Sequence, residues 1–329
     1  METGSTMVGR MMRVIFAGTP ATAVPVLTRI AEVHDVAAVL TRPPAPQGRS
    51  SRLVPSEVEA WAREHGVEVL SPQSLKDPGF VARVRGISPD CCPVVAYGGL
   101  ITRELLSIPA YGWINLHYSL LPAYRGAAPV QRALMDGCAT TGVTAFRIVP
   151  ALDAGPVYLQ SRIEIGEEET AGDLLRRLSL IGAETMVEAL WMAEQGMEPI
   201  DQPLEGVSLA PKITPEEARL NLSWGAGRCV DVVRAMSPEP GAWAELDSQR
   251  FKILRARIAD QPYSGASNGT IPGNLCANKK QLFCRVGDGW IELTQVQAPG
   301  KKPMLGADWA RGAWKGAWSM EEEDKPCLR

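Results

Sequence analysis

The chain has 329 residues, 45% hydrophobic and 22% charged, with a net charge of −3, which suits a soluble protein with one large and one small domain. No run is apolar enough to span a bilayer and no secretory h-region precedes the first strand, so no membrane partner and a cytoplasmic location are expected. The 7 cysteines, at 91, 92, 138, 229, 276, 284 and 327, include no Cys-x-x-Cys spacing, which speaks against a zinc site and a disulfide framework.

Residues 1–11 read as a flexible leader with several candidate starts. Arg13–Ala17 is a short apolar run ending in Gly18-Thr19-Pro20, the pattern of a buried parallel strand entering a helix, which is predicted from Ala21 to about Val33. A strand, a glycine and a helix invite a dinucleotide reading, but that fingerprint needs three spaced glycines and Gly18 stands alone. After a strand over Val36–Thr41 comes Arg42 to Arg52, rich in proline, with three arginines and no acid. On composition alone it is a surface loop.

Helix Pro55–His65, strand Val67–Leu70, helix Gly79–Val84 and strand Pro93–Tyr97 then alternate, as expected of a Rossmann-like α/β domain with a mostly parallel sheet. Such sheets bind ligands at the carboxyl ends of their strands. Tyr97-Gly98-Gly99 closes one strand and lets backbone approach a ligand, so Tyr97 and Gly98 are candidate binding residues.

The densest polar stretch runs from Gly112 to Gln131. Trp113–His117 reads as a strand, where side chains two apart share a face, so Asn115 and His117 project together. An amide donor beside an imidazole suits acyl-type chemistry, because a carbonyl under attack becomes an oxyanion that needs donors in place. The chain has 3 histidines, and the other two, His34 and His65, lie in polar surroundings. Ser119, Leu120, Leu121 and Pro122 follow as an irregular passage expected to leave backbone groups free for a ligand.

Helix Ala127–Asp136 and strand Gly142–Val149 lead to Asp153, which on local pattern is a turn aspartate before Gly155-Pro156. A strand over Val157–Ile163 and a helix capped at Thr170 and running to about Glu194 complete a domain bounded at 12–196. Residues 197–215 read as a linker, and residues 216–318 as a small OB-like β-barrel that opens on a helix capped by Asn221-Leu-Ser-Trp224. Its short strands are predicted at Ala242–Leu246, Phe251–Ile258, Gly269–Ile271, Gln281–Val286 and Trp290–Val296. From Ser208 onward 17 Lys and Arg face 14 Asp and Glu, net +3 against −6 for the rest, so the second part carries the positive field. Alternation puts Arg255 and Arg257 outward on one face, with Lys301 and Lys302 in a later loop, and residues 319–329 form an acidic tail.

Asn115-Leu-His-x-Ser-Leu-Leu-Pro-x-Tyr-Arg-Gly-Ala-Ala-Pro129 resembles the signature of the 10-formyltetrahydrofolate-dependent formyltransferases. The opening Phe16-Ala-Gly-Thr-Pro20, Ser237-Pro-Glu-Pro-Gly241 and Gln297–Met304 extend the likeness from Arg13 to Gly312, and the opening resembles the members that act on methionyl initiator tRNA. The resemblance implies transfer of a formyl group from 10-formyltetrahydrofolate to the α-amino group of that tRNA, in translation initiation. It makes Asn115, His117 and Asp153 catalytic, the last through the motif Leu-Asp-x-Gly, and places folate near Ser119–Pro122, Tyr97 and Gly98. Arg49 after Gly48, with Arg42 and Arg52, is implied to reach the tRNA acceptor end, and Lys212 in Ala-Pro-Lys-Ile213 to lie near the tRNA, while Arg255, Lys301 and Lys302 are further candidates. No metal is implied, and a monomer is expected. The alternatives are a formyltransferase acting on an amino-sugar nucleotide or purine precursor, and a 10-formyltetrahydrofolate hydrolase using the same residues on water.

Overall fold

The structure, a computed structural model, describes residues 10–46, 53–260, 271–313 and 327–328. The leader before Arg10, Arg49 and Arg52, residues 269 and 270 of one predicted strand and most of the acidic tail lie outside them. The chain forms two compact units, one of residues 1–126, 141–163 and 175–210, the other of 127–140, 164–174 and 211–329. No helix among the described residues is long and apolar enough to cross a membrane.

The first unit is built on a seven-stranded sheet in the order Val157–Glu164, Thr140–Arg147, Trp113–His117, Cys92–Val95, Arg13–Gly18, Asp35–Leu40, Glu68–Leu70. The five strands from Trp113–His117 to Glu68–Leu70 pair in parallel, and Thr140–Arg147 runs antiparallel to Trp113–His117. The parallel strands are nearly continuous apolar runs, as burial on both faces requires. Helix starts carry the expected chemistry: Ser56 accepts from the Glu59 N–H ahead of Glu57–Glu64, and Asp77 accepts from the Gly79 and Phe80 N–H groups ahead of Pro78–Ile87.

Strand order reverses between Arg13–Gly18, whose chain continues to Asp35–Leu40 on one side, and Cys92–Val95 on the other. That reversal, at the carboxyl ends of the strands, is where a doubly wound sheet takes its ligand. Thr19 crosses it by donating from Oγ1 to the Tyr97 carbonyl (3.1 Å).

In the second unit, antiparallel strands Ala242–Leu246, Gln249–Ala259, Trp290–Gln297, Leu282–Arg285 and Leu275–Ala277 are neighbours in that order. Met304–Leu305 pairs with the far end of Trp290–Gln297, so one edge of that strand carries two partners in succession, the curl of an OB-like half-barrel. Helix Ala226–Met236 presents Cys229, Val233 and Met236 to the core formed by Phe251, Ile253, Leu282 and Ile291.

Several expectations change. The predicted first helix is a 3-10 turn at Ala21–Ala23 followed by helix Val24–Ala31. Asn221 is not the cap of the next domain's helix. Its N-cap is Gly225, and Asp288 supplies the missing acceptor by taking the Ala226 N–H (2.7 Å), a contact that sequence spacing hides. Strands Leu275–Ala277 and Met304–Leu305 and helix Gly306–Ala313 were not anticipated, and Ile271 lies in no strand.

The strand bearing Asn115 and His117 is seated by Leu116, which is buried with its methyls over Gly182, where an added Cβ would lie 2.4 Å from Leu116 Cδ2. Gly182→Ala is therefore expected to cost about 1–3 kcal/mol by overpacking. Denaturant unfolding of the variant beside the parent chain checks this.

Candidate active site

His117 ends its strand and is buried. Its Nε2 lies 2.8 Å from the Tyr124 carbonyl, and because a carbonyl can only accept, Nε2 is the protonated nitrogen. The lone pair of the neutral ring is then on Nδ1, which lies 3.9 Å from Asp153 Oδ2. That oxygen also accepts from the Gly126 N–H (2.8 Å). Gly126 has φ +131°, and a Cβ there would fall 2.6 Å from the Ala210 carbonyl oxygen, so no other residue fits.

Burial pushes the His117 imidazole below its ordinary range, against the upward pull of the Asp153 carboxylate and of the bond to Tyr124. The ring is neutral at neutral pH. Asn115, half-buried, sits two residues earlier on the same strand face, and its amide has no hydrogen-bond partner among the described residues. The three residues expected from sequence thus stand at one strand end and the turn beside it: a free amide, a basic nitrogen and a carboxylate. Such a set can stabilise an oxyanion and move a proton.

Ser119–Pro122 is built differently from the expectation. The Ser119 carbonyl accepts from Thr144 Oγ1 (2.7 Å), Thr144 Oγ1 accepts in turn from the Leu121 N–H (3.1 Å), and the Leu121 carbonyl accepts from Gln160 Nε2 (2.7 Å). Ser119 Oγ donates to the Ala123 carbonyl (2.6 Å), and the Leu120 carbonyl accepts from the Ala123 N–H (3.1 Å). These groups are committed to the fold, because a buried turn must satisfy its own backbone. The passage is a scaffold whose half-buried Leu120 and Pro122 offer shape.

Tyr97 is buried in the sheet's core, which pushes its phenol up, while its carbonyl takes Thr19 and the Gly98 carbonyl takes Arg42 Nη1 (3.3 Å). Arg42 is exposed at the carboxyl end of the sheet; Arg49 and Arg52 lie outside the described residues. Lys212, Lys301 and Lys302 are exposed. Arg255 Nη2 lies 2.5 Å from Asp173 Oδ2 and its Nη1 donates to the Glu168 carbonyl. Arg255 and Arg257 flank buried Ala256, and both reach Glu168, so they share an outer face as alternation predicts despite register shifts on either side of Arg255; Arg257 also pairs with Glu292. Tyr124, Thr144 and Gln160 were missed; Tyr124 lies inside the quoted motif, but nothing in a sequence marks a carbonyl as a histidine's partner.

Fold and site together have the form of a formyl transferase. The family model described as Formyl transferase matches residues 12–190, and that described as Formyl transferase, C-terminal domain, matches residues 212–313. A methionyl-tRNA formyltransferase of Streptomyces coelicolor is 49% identical over 92% of this chain and 97% of its own length, and one of Cutibacterium acnes is 47% identical over 92% and 97%. The chain belongs to the methionyl-tRNA formyltransferase family. Among solved structures, HypX from Aquifex aeolicus in complex with tetrahydrofolic acid is similar in fold, with a TM-score of 0.66 and 16% identity, the match covering 98% of this chain and 51% of that one. A methionyl-tRNA formyltransferase from Clostridium thermocellum has a TM-score of 0.55 at 15% identity, covering 76% and 94%.

The Asp153 carboxylate raises the imidazole pKa, so removing its charge must lower it. Asp153→Asn is expected to move the His117 titration further below that of an ordinary histidine, whose pKa is about 6.5. NMR titration of the imidazole, with His117→Gln to identify its signal, reads the shift.

Proposed function

We propose that this chain transfers the formyl group of 10-formyltetrahydrofolate to the α-amino group of methionyl initiator tRNA in the cytoplasm, with Asn115, His117 and Asp153 as its catalytic residues. The observation that carries the reading is the bare Nδ1 of a buried, neutral His117 facing Asp153 on the strand that also carries an unpartnered Asn115 amide.

The attacking amine must be neutral, and with a pKa of about 7.7–8.0 a fair fraction is so near neutral pH. As its nitrogen bonds to the formyl carbon, Asn115 donates to the oxygen that becomes anionic. His117 Nδ1 accepts the proton the amine loses, and Asp153, close to that nitrogen, stabilises the imidazolium. When the carbon–nitrogen bond to the folate breaks, the imidazolium returns its proton to the departing nitrogen. One bond forms, one breaks, and the proton is conserved.

Two features support folate at the carboxyl end of the sheet: the free Asn115 amide, suited to a formyl oxygen, and the strand-order reversal. Arg42, Arg49, Arg52, Lys212, Lys301 and Lys302 are the proposed phosphate contacts, and Arg42, exposed at that end of the sheet, has the strongest positional support.

His117→Ala and Asp153→Ala are expected to lower kcat by about 10²–10⁴, and Asn115→Ala by about 10²–10³, each still binding tRNA. Formyl transfer from labelled 10-formyltetrahydrofolate, measured with initiator Met-tRNA, elongator Met-tRNA, an amino-sugar nucleotide or water as acceptor, checks catalysis and acceptor together. Near-normal rates in any two variants, or equal transfer to the sugar or to water, contradict the proposal. Since the neutral ring is the working form, activity is also expected to fall with acid through a pKa below about 6.5.

A further inference from the structure

Two residues in contact with His117's surroundings adopt backbone conformations that non-glycine residues seldom tolerate. Tyr124, whose carbonyl holds Nε2, has φ +61°, and Asp153, whose carboxylate faces Nδ1, has φ +47°. Such conformations persist where surrounding contacts over-determine them. Both are held from one stretch, residues 202–210, which sequence reading assigned to a linker and which belongs to the first unit.

Gln202 Nε2 donates to the Asp153 carbonyl (2.9 Å) and to the Gly155 carbonyl (2.8 Å), and its Oε1 accepts from Arg125 Nε (3.1 Å) and Nη2 (2.6 Å). A guanidinium only donates and two carbonyls only accept, so an amide suits both sides, while a carboxylate would confront two carbonyls. Ser208 Oγ accepts from the Tyr124 N–H (2.8 Å), and its carbonyl accepts from the Arg125 N–H (2.9 Å). A Cβ on Gly155 would lie 1.7 Å from the Arg147 carbonyl oxygen, so this turn sits tight against its strand.

We propose that Gln202 and Ser208 are positioning residues for the transfer reaction: Gln202 aims the Asp153 carboxylate at His117 Nδ1, and Ser208 holds the Tyr124 carbonyl on Nε2. The inference rests on the proposed roles of His117 and Asp153. Both act through Asp153, Arg125 and Tyr124. Their effect passes through the geometry of the imidazole, where a misplacement of about 1 Å costs up to about a hundredfold in rate.

The test uses the full chain with 10-formyltetrahydrofolate and initiator Met-tRNA, in the variants Gln202→Met, Gln202→Glu, Ser208→Ala, Ser208→Thr and His117→Ala. Expected are a loss in kcat of about ten- to a hundredfold for the two Gln202 variants and for Ser208→Ala, KM for both substrates within about twofold of the parent, and recovery in Ser208→Thr, which keeps the acceptor hydroxyl. The His117 titration should move to lower pH in Gln202→Met, because the carboxylate that raises it drifts away. Should the Gln202 variants fail to fold, the Ser208→Ala and Ser208→Thr pair decides. Parent-like kcat and titration in folded Gln202→Met or Ser208→Ala, with His117→Ala inactive, overturn the inference and leave the catalytic reading intact. An active His117→Ala overturns both.

Discussion

The hydrogen bond from His117 Nε2 to the Tyr124 carbonyl sets the chemistry of the site. It commits the one proton of the neutral ring and leaves Nδ1 bare on the side of Asp153. Two influences compete for the charge of that ring. Burial keeps it neutral, and Asp153 favours the imidazolium; at rest burial prevails, as the downward pKa shows. These opposing influences suit a group that must take up a proton during reaction and return it in the same turnover.

Geometry at this place is held by contacts spread widely along the chain. Thr144, opposite His117 on the neighbouring strand, and Gln160 secure the turn after the histidine. Gly126 gives up its N–H to Asp153 in a conformation no larger residue reaches. The Asn115 amide has no partner among the described residues, which is where a preorganised donor is needed, because an amide already paired would have to break a bond before serving the oxyanion. The sheet contributes rigidity and the strand-order reversal contributes the place for a ligand.

Much of the first unit was legible in the sequence because parallel strands buried on both faces are apolar runs punctuated by helix caps, as in Arg13–Gly18 and Cys92–Val95. The spacing of Asn115 and His117 was legible for the same reason: strand periodicity fixes which side chains share a face. Asp153, 36 positions beyond His117, was marked by family likeness, since a turn aspartate before Gly-Pro has no local signature of catalysis. The partners of the Ser119 and Leu121 backbone were hidden in the sequence, because Thr144 and Gln160 come from other strands. The partner of Arg255 could not be read from spacing, because Asp173 is 82 residues away. The cap that Asp288 lends to Ala226 N was hidden for the same reason of distance.

The chemistry depends on which nitrogen of His117 carries the proton, and ¹⁵N NMR of the imidazole at neutral pH reads this directly. Expected is a neutral ring with a protonated, pyrrole-like Nε2 and a bare, pyridine-like Nδ1. A ring protonated on Nδ1 alone, or an imidazolium at pH 7 in the free protein, would contradict it.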